Sequence, residues 1–362
     1  MSQSHLRVAM DATPVITAQT GAARYVTALS AALERRGVEV RRFAIGRAPV
    51  PAPPDVRRVR VPLRVVQRWW RAVSWPTAER LAGPADLVHA TGLTVPPSRV
   101  PLVVTVHDIA ALDDPSLHPR RHVHEVAALV GSLGRAAVVV ASSQATADRL
   151  VARGVDHDRI TVVPLGLTPL PDTPPAGADG QLVRGPYLLA VGETTFRKGY
   201  VTLLRALARK GVDGPLLVIA GPAGNDEPSI QREIGVLHLE DRVVRLGRVD
   251  DSVLAALYRG ALALCFPSVA EGFGLPVLEA LGAGVPVIAS DLPVLREVGG
   301  DAPLFFPIGD DEALAKAIDL VSDRELRRRL AAAGRDRAAA FTWDRTADGT
   351  INAYRRALAT AG

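Results

Sequence analysis

Several things are scarce in this 362-residue chain, and each scarcity removes a class of protein. The one cysteine, Cys265, lies inside an apolar run, so no internal disulfide can form and a reducing compartment is expected. No apolar run approaches the roughly eighteen residues of a membrane span. The first such run, Leu6 to Met10, is short and is followed at once by Asp11, so a signal peptide is not expected and the chain is read as cytoplasmic. Of the eight histidines only His238 falls in the second half, which argues against a histidine-built metal site there. The first strand-loop-helix stretch lacks the full G-x-G-x-x-G pattern, which disfavours a dinucleotide oxidoreductase. No Asp-x-Asp pair stands in a suitable position; Asp113-Asp114 and Asp250-Asp251 lie elsewhere. Tandem repeats and low-complexity tails are absent from the sequence.

What is present points to two α/β domains. Hydrophobic residues make up 48% of the chain, enough for two sizeable cores at this length. Charge is uneven: residues 1–184 hold 22 arginines against 15 acids, or +7, and the remainder holds 21 basic residues against 23 acids, or −2. Eleven arginines stand between Arg35 and Arg71 against Glu39 and Asp55, with Trp69, Trp70 and Trp75 beside them. This stretch reads either as a surface for anionic lipid or an anionic acceptor, or as a solvated arginine-rich face. No recognition motif for nucleic acid accompanies it.

Along the chain, Leu6 to Met10 reads as a buried strand, Asp11 to Gly21 as a loop and about Ala22 to Arg36 as a helix. Val65 to Leu81 has a helical pattern. Leu87 to Ala90 and Leu102 to Val106 are short apolar runs expected to be parallel strands. His107 and Asp108 follow the second of these, at the end where ligands bind in open α/β sheets, and can touch a transferred sugar or an acceptor hydroxyl there. Taken alone, such a pair is more often a structural hydrogen bond. His89 and His118 have weaker claims. Pro169, Pro171, Pro174, Pro175, Gly177, Gly180 and Gly185 mark a linker. Tyr187 to Val191 then restarts a strand, Gly192 to Lys198 forms a loop and Gly199 to Lys210 a helix. The repeated opening implies two similar halves with a cleft between them. Arg197 and Lys198 sit in the second opening loop, where cations can neutralise a diphosphate leaving group.

The stretch from Ser268 to Ser290 is the richest. Ala261 to Phe266 reads as a strand, Gly272 and Gly274 as a loop that lets backbone approach a ligand, and Pro276 as the first position of a helix. Gly282 and Gly284 end that helix. Its free N–H groups and dipole favour an anion such as phosphate. Glu271 in the loop and Glu279, expected in the first helical turn, bracket this point, and a carboxylate accepts from two vicinal hydroxyls at once. Together they suit a nucleotide-sugar site.

Glu271, Gly272, Phe273, Gly274, Leu275, Pro276, Glu279, Ala280, Gly284 and Pro286 resemble the signature of retaining GT-B glycosyltransferases, the large nucleotide-sugar family that includes bacterial mannosyltransferases and sucrose synthase. The resemblance implies an α/β GT-B fold: two facing Rossmann-like domains, a cleft between them, and a C-terminal helix crossing back. The expected divisions are an acceptor domain at 1–168, a linker at 169–185, a donor domain at 186–340 and a returning helix at 341–362. It implies that Glu271 contacts the donor hexose and Glu279 the ribose. The backbone of Phe273, Gly274 and Leu275 would meet sugar and phosphate. Lys198, in an Arg-Lys-Gly element with Arg197, would contact the diphosphate. Some members carry a further arginine early in that loop; here Glu193 and Thr194 stand in its place. By the same resemblance Gly21 faces the donor phosphate, His107 ranks above Asp108 as a site residue, and Arg248 and Val249 border the base.

The implied reaction moves a hexose, with mannose from GDP-mannose the first choice and a UDP-hexose next, to a hydroxyl with retention of configuration. No cofactor and no obligatory metal are expected. The acceptor is a glycan, a lipid-linked sugar or a small molecule; peripheral contact with an anionic membrane at its inner face is open, and nucleic acid is not expected. The alternatives are a nucleotide-sugar 2-epimerase of the same fold and a non-catalytic sugar-nucleotide-binding protein.

Overall fold

A computed structural model describes residues 6–17, 21–47, 53–171 and 183–360. The chain divides into two compact units. The first holds the residues up to Asp113, Arg120–Gly166 and those from Thr342 onward; the second holds Asp114–Pro119 and Leu167–Phe341.

The first unit is built on seven parallel strands: β1 (Arg7–Asp11), β2 (Glu39–Ile45), β3 (Val56–Val59), β4 (Leu87–Ala90), β5 (Leu102–Val106), β6 (Val138–Ala141) and β7 (Ile160–Val162). Their order across the sheet is β3-β2-β1-β4-β5-β6-β7. The central strands carry apolar residues on both faces because helices cover both sides of a parallel sheet; β4, β5 and β6 are buried throughout. Sequence order runs outward in both directions from the β1–β4 pair, so the chain reverses its progress there, and the strand ends at such a point leave an open crevice.

The second unit repeats the design with six parallel strands: β8 (Tyr187–Val191), β9 (Leu216–Ala220), β10 (Val243–Gly247), β11 (Ala263–Phe266), β12 (Val287–Ser290) and β13 (Leu304–Phe306). The order is β10-β9-β8-β11-β12-β13, which puts the reversal between β8 and β11. Leu188 and Leu189 pair with Ala263 and Leu264 in register across that junction. Leu203, Leu204 and Leu207 of the helix Tyr200–Ala208 pack with Leu188, Ile219 and Cys265 in the core beneath.

The last helix, Trp343–Ala359, belongs to the first unit. Its buried face carries Trp343, Ala347, Thr350, Ala353, Tyr354 and Ala357, an i, i+3/i+4 stripe. Asp344 and Asp348 in its opening turns pair with Arg36, and Asp344 also with Arg35 at 2.8 Å. The Tyr354 hydroxyl reaches His89 Nδ1 at 2.8 Å, and the Thr346 hydroxyl donates to the Pro164 carbonyl at 2.9 Å.

Three expectations need correction. The helical pattern over 65–81 is two helices, Leu63–Val73 and Ala78–Ala82, because Ser74 turns left-handed at φ 48° and Pro76 cannot continue a helix. A short helix, Thr13–Thr17, occupies part of the expected loop after β1, started where the Asp11 carboxylate accepts from the Thr13 N–H at 2.8 Å. Glu279 is the fifth residue of its helix, beyond the first turn, because the helix starts at Leu275 with Pro276 second. Most of the expected linker, 172–182, lies outside the described residues, as do residues 18–20 of the expected first loop.

Candidate functional site

The second unit places a buried cluster of charged residues at the β8–β11 reversal. The loop after β8 carries Arg197 and Lys198 in a single 3₁₀ turn, Phe196–Lys198, and the loop after β11 carries Ser268 and Glu271. The two loops are lashed together by backbone: the Val269 N–H donates to the Arg197 carbonyl at 2.8 Å. Gly199 makes this approach possible. Its φ of +64° suits glycine, and a Cβ there would lie 2.1 Å from the Pro267 carbonyl oxygen.

Three donors converge on one oxygen of Glu271. Lys198 Nζ donates to Oε1 at 2.6 Å, Arg197 Nη1 at 2.8 Å and Ser268 Oγ at 2.9 Å. Lys198 and Glu271 are only 7% and 6% exposed, and the lysine ammonium also sits 4.3 Å from the centre of the Phe266 ring. Burial by itself would push the Glu271 carboxyl up. Arg197, Lys198 and the hydrogen bonds outweigh it and hold the carboxyl down at about 2. Glu271 is therefore a carboxylate at any physiological pH, an acceptor for hydroxyls and a poor general acid.

The helix Leu275–Gly282 starts just beyond. Gly274 is its N-cap at φ +95°, and a Cβ there would meet Leu295 Cδ2 at 2.6 Å, so glycine is required on two counts. Phe273 is buried edge-on against Phe341, ring centres 6.1 Å apart. Leu275 is half-buried at the first helical position. Glu279 is buried, and its Oε2 accepts from the Tyr258 hydroxyl at 3.2 Å. Arg248 and Val249 follow β10, the outermost strand, two strands from β8; Arg248 is exposed and Val249 half-buried.

In the first unit the reversal between β1 and β4 is occupied by Asp11, at the end of β1, and by Thr91 and Gly92 after β4. The Thr91 hydroxyl donates to the Asp11 carbonyl, and a Cβ on Gly92 would stand 3.6 Å from Asp11 Oδ2. Burial pushes the Asp11 carboxyl up to about 6, against the hydrogen bonds from Thr13. Gly21 is exposed and opens the helix Gly21–Arg35. His107, after β5, packs edge-on against Tyr25 of that helix with ring centres 4.6 Å apart. Its Nε2 is buried without a hydrogen-bond partner, and burial lowers its pKa to about 4, so the ring is neutral. Asp108 accepts from the Ala110 N–H at 2.7 Å and lies 3.9 Å from Arg149.

His89 has a structural part. Its ring is fully buried and bonded at both nitrogens, to Tyr354 and, at 2.7 Å, to Thr105 Oγ1, which also meets the Tyr25 hydroxyl at 2.9 Å. Burial lowers its pKa to about 3. His118 is half-buried in the Asp114–Pro119 segment.

Of the residues singled out in the sequence, the structure joins Arg197, Lys198 and Glu271 in one cluster and seats Phe273, Gly274, Leu275 and Glu279 on the adjoining helix start. His107, Asp108 and Gly21 lie in the other unit. Sequence reasoning gave no role to Ser268, Phe266, Tyr258 or Asp11. Asp11 left one signal, a lone acid directly at the end of the first apolar strand. Tyr258 left none, since its partner Glu279 is fixed by the packing of two separate helices, and Ser268 stood unremarked three residues before Glu271 in the same loop.

Two such sheets, each with its reversal point, and an acid–base cluster at a glycine-capped helix start define a GT-B glycosyltransferase. The chain belongs to that glycosyltransferase family. The family described as glycosyl transferases group 1 matches residues 180–337, and Glycosyltransferase Family 4 matches residues 19–169. The chain is 31% identical to a D-inositol 3-phosphate glycosyltransferase of Xylanimonas cellulosilytica, covering 92% of this chain and 91% of that protein. It is 30% identical to O-antigen chain mannosyltransferase B of Escherichia coli, covering 74% of each. Among solved structures, a sucrose-phosphate synthase from Thermosynechococcus elongatus shares the fold with a TM-score of 0.78 at 22% identity, covering 99% of this chain and 100% of that one. Anabaena HepE, solved with UDP-glucose, gives 0.71 at 18% identity, covering 97% and 100%.

Proposed function

We propose that this glycosyltransferase moves a hexose from a nucleoside diphosphate to an acceptor hydroxyl with retention of configuration and without an obligatory metal. The observation that carries the reading is the Arg197–Lys198–Glu271 cluster at the β8–β11 reversal, beside the Leu275–Gly282 helix start. In this reading the bond between the anomeric carbon and the diphosphate breaks, and Lys198, Arg197 and the helix amides take up the charge of the departing group. The acceptor oxygen bonds to the anomeric carbon on the face just vacated, and its proton passes to the leaving phosphate oxygen. Glu271, held ionised, accepts from hexose hydroxyls, and Glu279 from the ribose. Mannose from GDP-mannose is the favoured donor: the mannosyltransferase from Escherichia coli supports it at 30% identity. A UDP-hexose is the second choice, supported by the UDP-glucose complex of HepE.

Thermal unfolding with GDP, UDP, ADP and TDP tests the donor. One nucleotide at about a hundred times its Kd should stabilise the protein by about 3 kcal/mol. Slow hydrolysis of the matching nucleotide sugar, abolished in Lys198→Ala, separates an enzyme from a binding protein, and epimer formation without acceptor would reveal an epimerase. Silence toward all four nucleotides would overturn the assignment. Retention is read from the anomeric coupling of the product by NMR, and metal independence from full activity in chelator.

A further inference from the structure

The first unit carries a surface that the transfer chemistry does not use. The helix Leu63–Val73 buries Val66 and Trp70 against the core, and the Trp70 Nε1–H donates to the Pro76 carbonyl at 2.8 Å, fixing the turn that follows. Val65, Trp69 and Val73 lie one helical turn apart, at i, i+4 and i+8, and form a continuous stripe. That stripe faces outward: the three are 39%, 45% and 65% exposed, and Trp75 just beyond is 52% exposed.

Arg64 and Arg68 stand one position before Val65 and Trp69, so they form a parallel exposed row along the edge of the stripe. Arg60 is exposed at the approach to the helix. None of these three forms an ion pair among the described residues. From residue 56 to 78 the sequence has six arginines and no acid. An apolar stripe rimmed by unneutralised cations is unfavourable in water and complementary to a surface with anionic headgroups over hydrocarbon. Tryptophan suits that boundary because its ring is apolar and its N–H remains hydrated.

We infer that Val65, Trp69, Val73 and Trp75, with Arg60, Arg64 and Arg68, form a docking face for an anionic lipid bilayer. A second copy of the chain fits less well. Four apolar side chains fall short of the roughly 20–30 residues a side of a stable dimer, and a two-fold contact would set arginine rows against each other.

The test uses the full chain and vesicles of phosphatidylcholine with or without phosphatidylglycerol. The protein should co-sediment with the anionic vesicles and be released by high salt. Its tryptophan emission should shift to the blue on binding and be quenched by brominated lipid, since Trp69 and Trp75 would be the two rings that enter. Arg64→Gln/Arg68→Gln should weaken binding about twentyfold, and Trp75→Ser alone about fivefold to tenfold. In both, urea midpoint and donor hydrolysis should match the parent, so the lipid inference stands or falls apart from the reaction. No binding to anionic vesicles would overturn it. So would binding that survives both variants, or a concentration-dependent dimer lost in Trp75→Ser. Capture of a soluble sulfated polysaccharide with no vesicle binding would make the face a site for anionic glycan, and would overturn the inference as well.

Discussion

Glu271→Gln tests the cluster at its centre, and its size can be worked out beforehand. The amide copies the shape of the protonated carboxyl and cannot ionise. The free energy that separates the variant from the parent at neutral pH is thus, to first order, the stabilisation of charge at this position. The carboxyl falls from 4.5 to about 2 on folding. That difference is worth about 3 kcal/mol in favour of the folded state. The sign follows from the direction. A carboxyl depressed on folding gives stability that is fully present above about 4.5 and drains away as pH falls toward 2. The gap between parent and variant should therefore be about 3 kcal/mol at pH 7, nearly the same at pH 6, and roughly 2 kcal/mol at pH 3.5.

Urea unfolding of the two proteins followed by circular dichroism at those pH values measures the gap. Above pH 6 the midpoint of the variant should lie lower by a constant amount, and the two curves should converge in acid. A gap that does not change with pH would mean that lost shape and hydrogen bonding, and not charge, cause the defect. A gap under about 1 kcal/mol at pH 7 would mean that Arg197 and Lys198 do not hold the carboxylate as drawn. Either result would refute the electrostatic account of the cluster.

Gly199→Ala should be severe, with at least about 3 kcal/mol lost, because the new methyl meets the Pro267 carbonyl at 2.1 Å in a left-handed backbone; a unit that unfolds at the parental urea midpoint would contradict this. Asp11→Asn should act in the opposite direction. Its carboxyl is raised to about 6 on folding, so it favours the fold below about 4 and loses that benefit as pH rises through 6. The amide should stabilise the protein by about 2–3 kcal/mol at pH 7.5 and by only about 0.5 kcal/mol at pH 4, a convergence that thermal melts at the two pH values will reveal. Tyr354→Phe leaves His89 Nδ1 buried without its partner and should cost about 1–3 kcal/mol, read from the same unfolding curves.

The fold class was legible because its signals are short-range. Runs such as Leu102–Val106 and Tyr187–Val191 are too apolar and too brief for anything but buried parallel strands, and the glycine-proline grammar around Pro276 marks a helix start. That Arg197 and Lys198 would join Glu271 was also within reach, because each follows a strand and ligand-facing loops gather at strand ends. The sequence does not encode openly which strands are neighbours. β8 and β11 are separated by two further strands in the chain, yet they adjoin in the sheet, and that adjacency is what brings Arg197 and Lys198, more than seventy residues away in the chain, onto Glu271. The break at Ser74 was hidden for a different reason. The apolar spacing continues through it, while the left-handed turn and Pro76 interrupt the backbone. The structural part of His89 was out of reach of the sequence: its partners come from β5 and from the last helix, 265 residues away in the case of Tyr354.

The cluster is also a poor way to stabilise a protein, and that bears on its purpose. Taking a lysine and a glutamate out of water, with an arginine half-buried beside them, is expensive, and well-packed apolar residues of similar volume commonly serve a fold as well or better. Asp11 in the other unit goes further: its carboxylate at the end of β1 opposes folding outright at neutral pH. Both lie at the one place in each sheet where the order of strands reverses and the strand ends leave room for a ligand. Buried charges whose place apolar residues could fill, standing where a ligand would be held, are the expected signature of a site tuned for chemistry. Charges placed only for stability have no reason to choose that position, and still less reason to do so twice.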